Sequence, residues 1–157
     1  MFESTEFGHG TRRPRIRAAA ALVDRGRILL VRHRKRDRTY WLLPGGGVEY
    51  GESVVEAARR ELKEETGLDC AIERLLFAAE TLAPDGSRHL LHMVFSARCT
   101  GGQLCVGEEP RLAEAKFVGI DQLRELVLHP PMKEPLIALL QGGEPPMNPF
   151  LGNLWVD

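Results

Sequence analysis

The sequence predicts one domain of the mixed α/β class, and three observations support this fold class. Apolar runs of strand type stand on both sides of one clearly amphipathic helix, and further helical segments close the chain. The length of 157 residues is that of one domain, long enough to bury a core without disulfide bonds or a structural metal. The apolar fraction of 43% and the charged fraction of 27% place the chain among soluble globular proteins.

The part of the chain before this helix is predicted to form an arm followed by strands. Residues 1–14 are polar, show no periodicity and are expected to be a flexible arm. Residues 24–26 (Asp-Arg-Gly) suit a hairpin turn. The segment 32–39 is too highly charged for a core strand, so we expect a loop there. The predicted strands are the apolar runs 15–23, 28–32 and 41–44.

The one clear helix is predicted to begin at residues 52–53 and to end at Gly67. Glycine is favoured just past the end of a helix, where the backbone turns left-handed. Val54, Ala58 and Leu62 recur at i, i+4 and i+8, a spacing that predicts one buried stripe along the helix.

The rest of the chain is predicted to add strands and two shorter helices. Residues 84–87 (Pro-Asp-Gly-Ser) are a favourable turn, and Asp121 can cap a short helix. The predicted elements are strands at 71–83, 89–98 and 114–120, and helices at 121–127 and 132–140. The domain is therefore expected to span residues 15–140, followed by an extended tail at 141–157.

The sequence shows no sign of secretion or of membrane insertion. The N-terminus lacks a basic start followed by an apolar stretch, and no apolar run approaches the roughly 20 residues that a membrane span needs. The 3 cysteines form no CxxC pair, so neither a disulfide framework nor a zinc site is indicated. We therefore expect a cytoplasmic protein with reduced thiols and no membrane partner.

Charge is distributed unevenly along the chain. Residues 12–38 contain eleven Arg or Lys against two Asp, whereas residues 49–69 contain seven acids against three bases. A basic segment beside an acidic one suits a metal site next to a polyanionic substrate. The basic segment favours an RNA-end hydrolase, but the net charge of −1 and the lack of an RNA-binding module argue against a nucleic acid partner.

Three glutamates on the predicted helix carry the clearest chemical signal. Glu61, Glu64 and Glu65 are spaced i, i+3 and i+4, which places their carboxylates on one face of the helix. Like charges stacked in this way repel each other. A hard divalent cation such as Mg²⁺, which prefers carboxylate oxygens, would remove this conflict. Glycines before the helix would let the backbone approach a ligand or a metal.

The chain resembles the Nudix hydrolase family (MutT-like) at every defined position of that family's sequence motif. The nine matching positions are Gly46, Glu52, Arg60, Glu61, Leu62, Glu64, Glu65, Gly67 and Leu68. The order of predicted elements around the motif is also similar to that of a whole Nudix domain, over roughly residues 15–140. The resemblance implies an α/β/α sandwich around a mixed sheet.

The resemblance also implies a reaction and the residues that perform it. Water would attack a phosphorus atom and cleave a phosphoanhydride bond in a nucleoside diphosphate linked to a group X, such as a nucleotide, a nucleotide sugar or ADP-ribose. Arg60 and Glu52 would form a salt bridge that fixes the loop to the helix. Mg²⁺ or Mn²⁺ would be held by the carboxylates of Glu61, Glu64 and Glu65 and by a carbonyl of Gly45.

The identity of the general base is left open. Within the motif, Glu61 and Glu64 are the candidates. Downstream, the candidates are Glu108, Glu109 and Glu114, although for each of them alone a solvated acid is the better interpretation.

The substrate contacts are predicted from the residues around the glycines. The expected basic loop carries four cations: Arg34, Lys35, Arg36 and Arg38. One or two of them are expected to contact the substrate while the others face solvent, and we select Arg34 and Arg36 because arginine suits bidentate contact with phosphate oxygens. Tyr40 is expected to stack on a base, and Gly46 to bring the backbone close to the substrate. The position of Pro84 favours an ADP-ribose-like substrate, although an ordinary turn proline explains it equally well.

A second functional class is a Nudix domain that binds a nucleotide metabolite and regulates or scaffolds without catalysis. Degenerate motifs mark such domains, whereas this motif is intact, so the enzyme is favoured. The resemblance leaves open whether the chain forms a homodimer.

Overall fold

A mixed sheet lies between one helix on one face and two helices on the other. The structure is a computed structural model and describes residues 12–157, so most of the predicted arm at 1–14 lies outside the described residues. The strands are β1 Arg15–Asp24, β2 Arg27–Lys35, β3 Arg38–Leu42, β4 Gly45–Gly47, β5 Leu68–Leu82, β6 His89–Gly102, β7 Leu112–Val118 and β8 Phe150–Asn153. The helices are α1 Val54–Thr66, α2 Ile120–Glu125 and α3 Lys133–Leu140.

The sheet is held together mainly by the long hairpin of β5 and β6 and by β1 beside it. The strand order is β3-β2-β1-β6-β5-β8, with β4 paired to β1 and β7 paired to β2. β1 runs parallel to β6, and β5 runs parallel to β8, whereas the other pairs are antiparallel. β1 and β2 pair only at Val23↔Ile28 and Asp24↔Arg27, and each then takes other partners. The sheet therefore divides between β1 and β2.

Helix α1 has the caps that its sequence predicts. The Ser53 hydroxyl accepts a hydrogen bond from the Glu56 N–H, and the Glu56 carboxylate accepts one from the Ser53 N–H, which forms a capping box. Gly67 ends the helix with a φ of 74°, in the left-handed region that glycine adopts without strain. Of the predicted stripe, Ala58 and Leu62 are fully buried, whereas Val54 at the start of the helix is only partly buried.

The two faces of the sheet are covered by different helices. On one face, buried residues of α1 pack on alanine and leucine side chains of β1 and β2 such as Ala20 and Leu29. On the other face, Leu123 of α2 and Leu136 of α3 pack into the largest cluster, together with Phe77. This alternation along β1 and β2 gives the predicted sandwich with helices on both sides.

Two local predictions are wrong. The basic segment 32–39 is not a loop, because β2 continues to Lys35 and β3 begins at Arg38. Charged side chains are compatible with these strands because β3 is an edge strand and residues 34–39, around the turn of the hairpin, are exposed. Asp121 is not the cap of α2, since that position is occupied by Gly119.

The tail after α3 returns to the sheet. β8 pairs in parallel with β5, in the register Ala78↔Phe150 and Glu80↔Asn153. Within residues 12–157, none of the helices combines the length and the apolar character needed to cross a membrane.

Candidate active site

The glycine strand β4 lies close to both β1 and α1 because its residues carry no Cβ. A Cβ on Gly45 would overlap the backbone of Ala18 and Ala19 in β1. A Cβ on Gly46 would overlap the Glu61 carboxylate of α1. Gly46, which the sequence predicts to bind substrate, therefore provides space for Glu61 in this structure.

Arg60 connects this strand, the following loop and α1. Its Nε donates to Glu52 Oε2 at 2.7 Å and its Nη2 to Glu52 Oε1 at 3.0 Å, a bidentate ion pair. Nη2 also donates to the Gly47 carbonyl at 3.2 Å. Nη1 donates to Glu61 Oε1 at 3.0 Å and lies 3.3 Å from Glu64 Oε2. The hydrogen bonds with Glu52 raise the pKa of Arg60, so this guanidinium stays charged.

The three glutamates of α1 differ in their surroundings. Glu65 is buried, and its Oε1 accepts a hydrogen bond from the Gly45 N–H at 2.8 Å while its Oε2 lies 3.4 Å from His33 Nε2. Glu61 is mostly buried, and desolvation raises the pKa of its carboxyl against the lowering effect of Arg60. Glu64 is the most accessible, with 57% of its side chain exposed.

The donor set of this site fits a hard divalent cation. Carboxylate oxygens are supplied from consecutive turns of one helix by Glu61, Glu64 and Glu65. The negative charges of Glu65 and Glu64 also raise the pKa of the Glu61 carboxyl. A cation would remove this repulsion between carboxylates. Arg60 Nη1 lies close to the carboxylates of both Glu61 and Glu64. These two carboxylates would have to turn away from Arg60 to bind a metal. Within residues 12–157, no group of three or more acidic, histidine or cysteine side chains is already arranged around one metal position.

A large cavity opens beside these glutamates, at the division between β1 and β2. Its volume is about 700 Å³, within the range of small-molecule sites. His33, which lies 3.4 Å from Glu65, is part of its wall, so the cavity is separated from the Glu65 carboxylate by this one side chain. None of Glu61, Glu64 and Glu65 lines the cavity itself. Among the described residues, the cationic side chains of the wall are Arg17, Lys35, Arg38, Arg88 and Arg111, against one acidic residue, Asp37, so the cavity suits a polyanion.

Arg17 is the least exposed of the five cations that line the cavity. It lies on β1, and its Nη2 donates a hydrogen bond to the Leu43 carbonyl at 2.9 Å. Burial lowers the pKa of Arg17, whereas the negative charges of Glu65 and Glu61 raise it. This guanidinium therefore interacts electrostatically with the glutamates of α1 and also borders the cavity.

The basic hairpin of β2 and β3 contributes side chains to the cavity in alternation. Lys35 and Arg38 line it, whereas Arg34 and Arg36, the predicted substrate contacts, do not. Successive side chains of a strand point to opposite sides, which explains the difference between Arg34 and Lys35. Tyr40, the predicted stacking residue, does line the cavity, and its ring contacts the rings of His33 and His129.

The three downstream acids lie in two different places. Glu108 and Glu109 are exposed on the loop after β6, and this loop is attached to the last turn of α1 because the Gly107 N–H donates to the Glu65 carbonyl at 3.0 Å. Glu114 lies on β7, where it pairs with Arg32 at 3.2 Å and Lys116 at 3.6 Å. None of the three lines the cavity.

Comparison with known proteins identifies the family. The model of the NUDIX domain matches residues 12–140 of this chain. The chain belongs to the Nudix family. Its fold is shared with known members: the crystal structure of a MutT NUDIX hydrolase from Burkholderia pseudomallei is 34% identical, with a TM-score of 0.65 over 75% of this chain and 92% of that one.

Two curated relatives carry names that describe a substrate. The human 8-oxo-dGDP phosphatase NUDT18 is 44% identical over 92 residues, which are 58% of this chain and 27% of that protein. The ADP-ribose pyrophosphatase of Methanocaldococcus jannaschii is 33% identical over 114 residues, which are 72% of this chain and 66% of that protein. The matched regions thus cover less than two thirds of either relative.

Several residues of this Nudix domain were not predicted from the sequence. Arg17 directly precedes the buried alanines of β1, and an arginine at the start of such a run is a signal that could have identified it. His33 and Arg111 carry no such signal, because only the pairing of β2 with its neighbours brings them to the cavity. The same holds for residues of the tail, of which Trp155 lines the cavity.

Proposed function

We propose that this chain is a metal-dependent Nudix pyrophosphohydrolase that cleaves a phosphoanhydride bond in a nucleoside diphosphate linked to a group X. One observation carries the proposal: the intact motif folds into three adjacent carboxylates, and two residues that interact with them, His33 and Arg17, line a cavity that also holds further cationic side chains. A phosphate chain in that cavity would lie next to the glutamates.

The cation is proposed to be Mg²⁺ or Mn²⁺, held by Glu61, Glu64 and Glu65, with the Gly45 carbonyl as a further candidate ligand. When bound, it supplies positive charge that neutralises phosphate oxygens during the reaction. Arg60 and Glu52 are positioning residues, because their bidentate pair holds the loop and β4 against α1.

The cationic residues of the cavity are proposed to bind the phosphates. Arg17 would orient the phosphate nearest the glutamates, since it borders the cavity and interacts with Glu65 and Glu61. Lys35 and Arg38 would bind from the opposite strand pair. Charged donors held in place before substrate arrives are favourable because they need no reorganisation during the reaction.

A glutamate of the motif is the better candidate for the general base. Glu64 is the most exposed of the three glutamates and Glu61 the one whose carboxyl pKa is raised, so both retain features of a proton acceptor. Glu114 is disfavoured because it is paired with Arg32 and Lys116. Glu108 and Glu109 remain candidates only through movement of their loop.

The substrate class is proposed to include ADP-ribose and oxidised guanine nucleotides, because the two curated relatives are named for these compounds. A volume of about 700 Å³ accommodates a nucleotide with a further small group.

A panel of nucleotides tests the proposal. ADP-ribose, 8-oxo-dGDP, 8-oxo-dGTP and UDP-sugars are incubated with the protein and either Mg²⁺ or Mn²⁺, and the products are separated by chromatography. We expect hydrolysis of at least one compound, with a turnover that Glu64→Gln or Glu65→Gln lowers by roughly 10²-fold or more. Glu125→Gln, an exposed glutamate on α2, is the matched control and should retain full activity.

Two results would contradict the proposal. Unchanged turnover in both glutamine variants would remove the motif from the reaction. Tight binding of a panel member without any hydrolysis would instead support the regulatory, non-catalytic Nudix domain.

A further inference from the structure

The C-terminal segment is fastened to the sheet by more than strand pairing. The Leu154 N–H donates to the Glu80 carbonyl at 2.8 Å. Asn153 fixes the neighbouring backbone, because its Oδ1 accepts from the Leu82 N–H at 2.9 Å and its Nδ2 donates to the Leu82 carbonyl at 3.2 Å. The same Oδ1 accepts from the Trp155 N–H at 3.1 Å. The position of Trp155 is therefore set by the edge of β5.

This attachment makes the end of the chain a wall of the cavity. Leu154, Trp155 and Val156 all line it. These residues lie after the span 12–140 that the NUDIX domain model matches. The wall that they form is thus a feature of this chain beyond the part that identifies its family.

Trp155 differs from the other aromatic residues near the site in having an unpaired ring. Tyr40 already contacts two imidazole rings, and Trp41 is buried, with Lys116 Nζ 4.8 Å from its ring centroid. Trp155 is half-buried and forms no ring pair with any aromatic residue among those described. Its indole N–H donates to Asp157 Oδ1 at 3.0 Å, which fixes the ring edge.

We propose that Trp155 is the residue that stacks on the nucleobase, so that the C-terminal segment, rather than the Nudix motif, selects the nucleoside part of the substrate. This inference rests on the proposed function in one respect, namely that the ligand is a nucleotide. The cationic side chains of the cavity would bind the phosphates in either case, whereas stacking on the indole face requires a planar ring, which only the nucleobase supplies.

Two ligands that differ by the nucleoside alone test the inference. The probes are α,β-methylene-ADP and methylenebisphosphonate, whose P–C–P bridges cannot be hydrolysed, titrated calorimetrically into the full chain with Mg²⁺. We expect Trp155→Ala to raise the Kd of α,β-methylene-ADP about tenfold or more and to leave that of methylenebisphosphonate within about twofold. Trp155→Phe, which keeps an aromatic face, should restore most of the affinity.

Phe150→Ala is the matched control, because Phe150 is an aromatic residue of β8 that does not line the cavity. It should bind both probes as the unchanged protein does. Thermal unfolding of each variant shows whether the tail remains folded on the sheet, and Trp155→Phe provides the test if Trp155→Ala unfolds.

The outcomes separate this inference from the proposed function. Unchanged affinity of Trp155→Ala for α,β-methylene-ADP, or an equal loss for both probes, overturns the stacking role even if hydrolysis proceeds normally. If the unchanged protein binds neither this probe nor its guanosine and uridine counterparts, the inference is also overturned. Selective loss of the nucleotide in Trp155→Ala supports it, even where the protein hydrolyses nothing in the panel.

Discussion

Replacing Gly46 by alanine should impair catalysis while leaving the fold intact. A Cβ at this position would lie 2.6 Å from Glu61 Oε2 and nearer still to Glu61 Cδ and Oε1. The backbone of Gly46 has no positive φ, so alanine itself causes no backbone strain. The carboxylate of Glu61 must therefore move, because it is the flexible end of a side chain.

The size of the effect follows from the distance. Ordinary contact begins near 3.4 Å, so the carboxylate must retreat by about 1 Å, which also disturbs its 3.0 Å hydrogen bond from Arg60. A misplacement of this size lowers turnover by about 10²-fold, or about 2.7 kcal/mol in the activation barrier. The free energy of unfolding should change by less than about 1 kcal/mol, since alanine restricts the unfolded chain and offsets part of the lost contact.

Gly47→Ala is the matched control, because a Cβ there would have Arg15 Nη2 as its nearest neighbour, at an unstrained 3.6 Å. Initial rates over a range of Mg²⁺ concentrations and thermal unfolding should be measured for both variants. We expect Gly46→Ala to need more metal and to turn over slowly, with a melting temperature close to that of Gly47→Ala. Equal activity of the two variants would refute the assignment of Gly46 as the space that Glu61 requires.

Two further predictions concern the cavity. In steady-state kinetics, the double variant Lys35→Gln/Arg38→Gln should raise KM about tenfold with a smaller effect on kcat. The control is Arg34→Gln/Arg36→Gln, which should leave both parameters nearly unchanged because these side chains do not line the cavity. His92 is buried beside Thr81, and desolvation, with smaller effects from neighbouring arginines, lowers its pKa to about 4. Below about pH 6.5 the imidazole of His92 is therefore protonated in the unfolded chain but stays neutral in the folded protein. Because protonation favours the unfolded chain, the free energy of unfolding should fall by up to about 3 kcal/mol as the pH decreases from 6.5 to 4. Urea unfolding should show a weaker pH dependence in His92→Gln, and an identical dependence would exclude this histidine as its source.

Features determined by neighbouring residues were predictable from the sequence. The caps of α1 at Ser53 and Gly67, its buried stripe and the alignment of Glu61, Glu64 and Glu65 all depend on spacing within one helix. The order of most strands and helices followed from apolar runs in the same way, whereas β4 and β8 were not predicted as strands. These predictions needed no knowledge of which strands pair.

Features determined by pairing between distant segments were not predictable. The charge of segment 32–39 predicts a loop because it excludes the segment from a core, whereas a hairpin at the edge of the sheet needs no core side chains. The register of β2 with β3 decides which cations of this segment face the cavity. A shift of that register by one residue would turn Arg34 toward the cavity in place of Lys35. Trp155 reaches the cavity only because Asn153 binds the edge of β5.

The structure also changes the argument that stacked glutamates need a cation. Arg60 already balances two of them, with Nη1 at 3.0 Å from Glu61 and 3.3 Å from Glu64. Glu65 is stabilised separately, by the Gly45 N–H and by His33. The helix can therefore fold without a metal, and a cation bound as proposed would compete with Arg60 for the carboxylates of Glu61 and Glu64. Because Glu52 holds the same guanidinium through two hydrogen bonds, Arg60 would stay in place if these two carboxylates turned toward a cation.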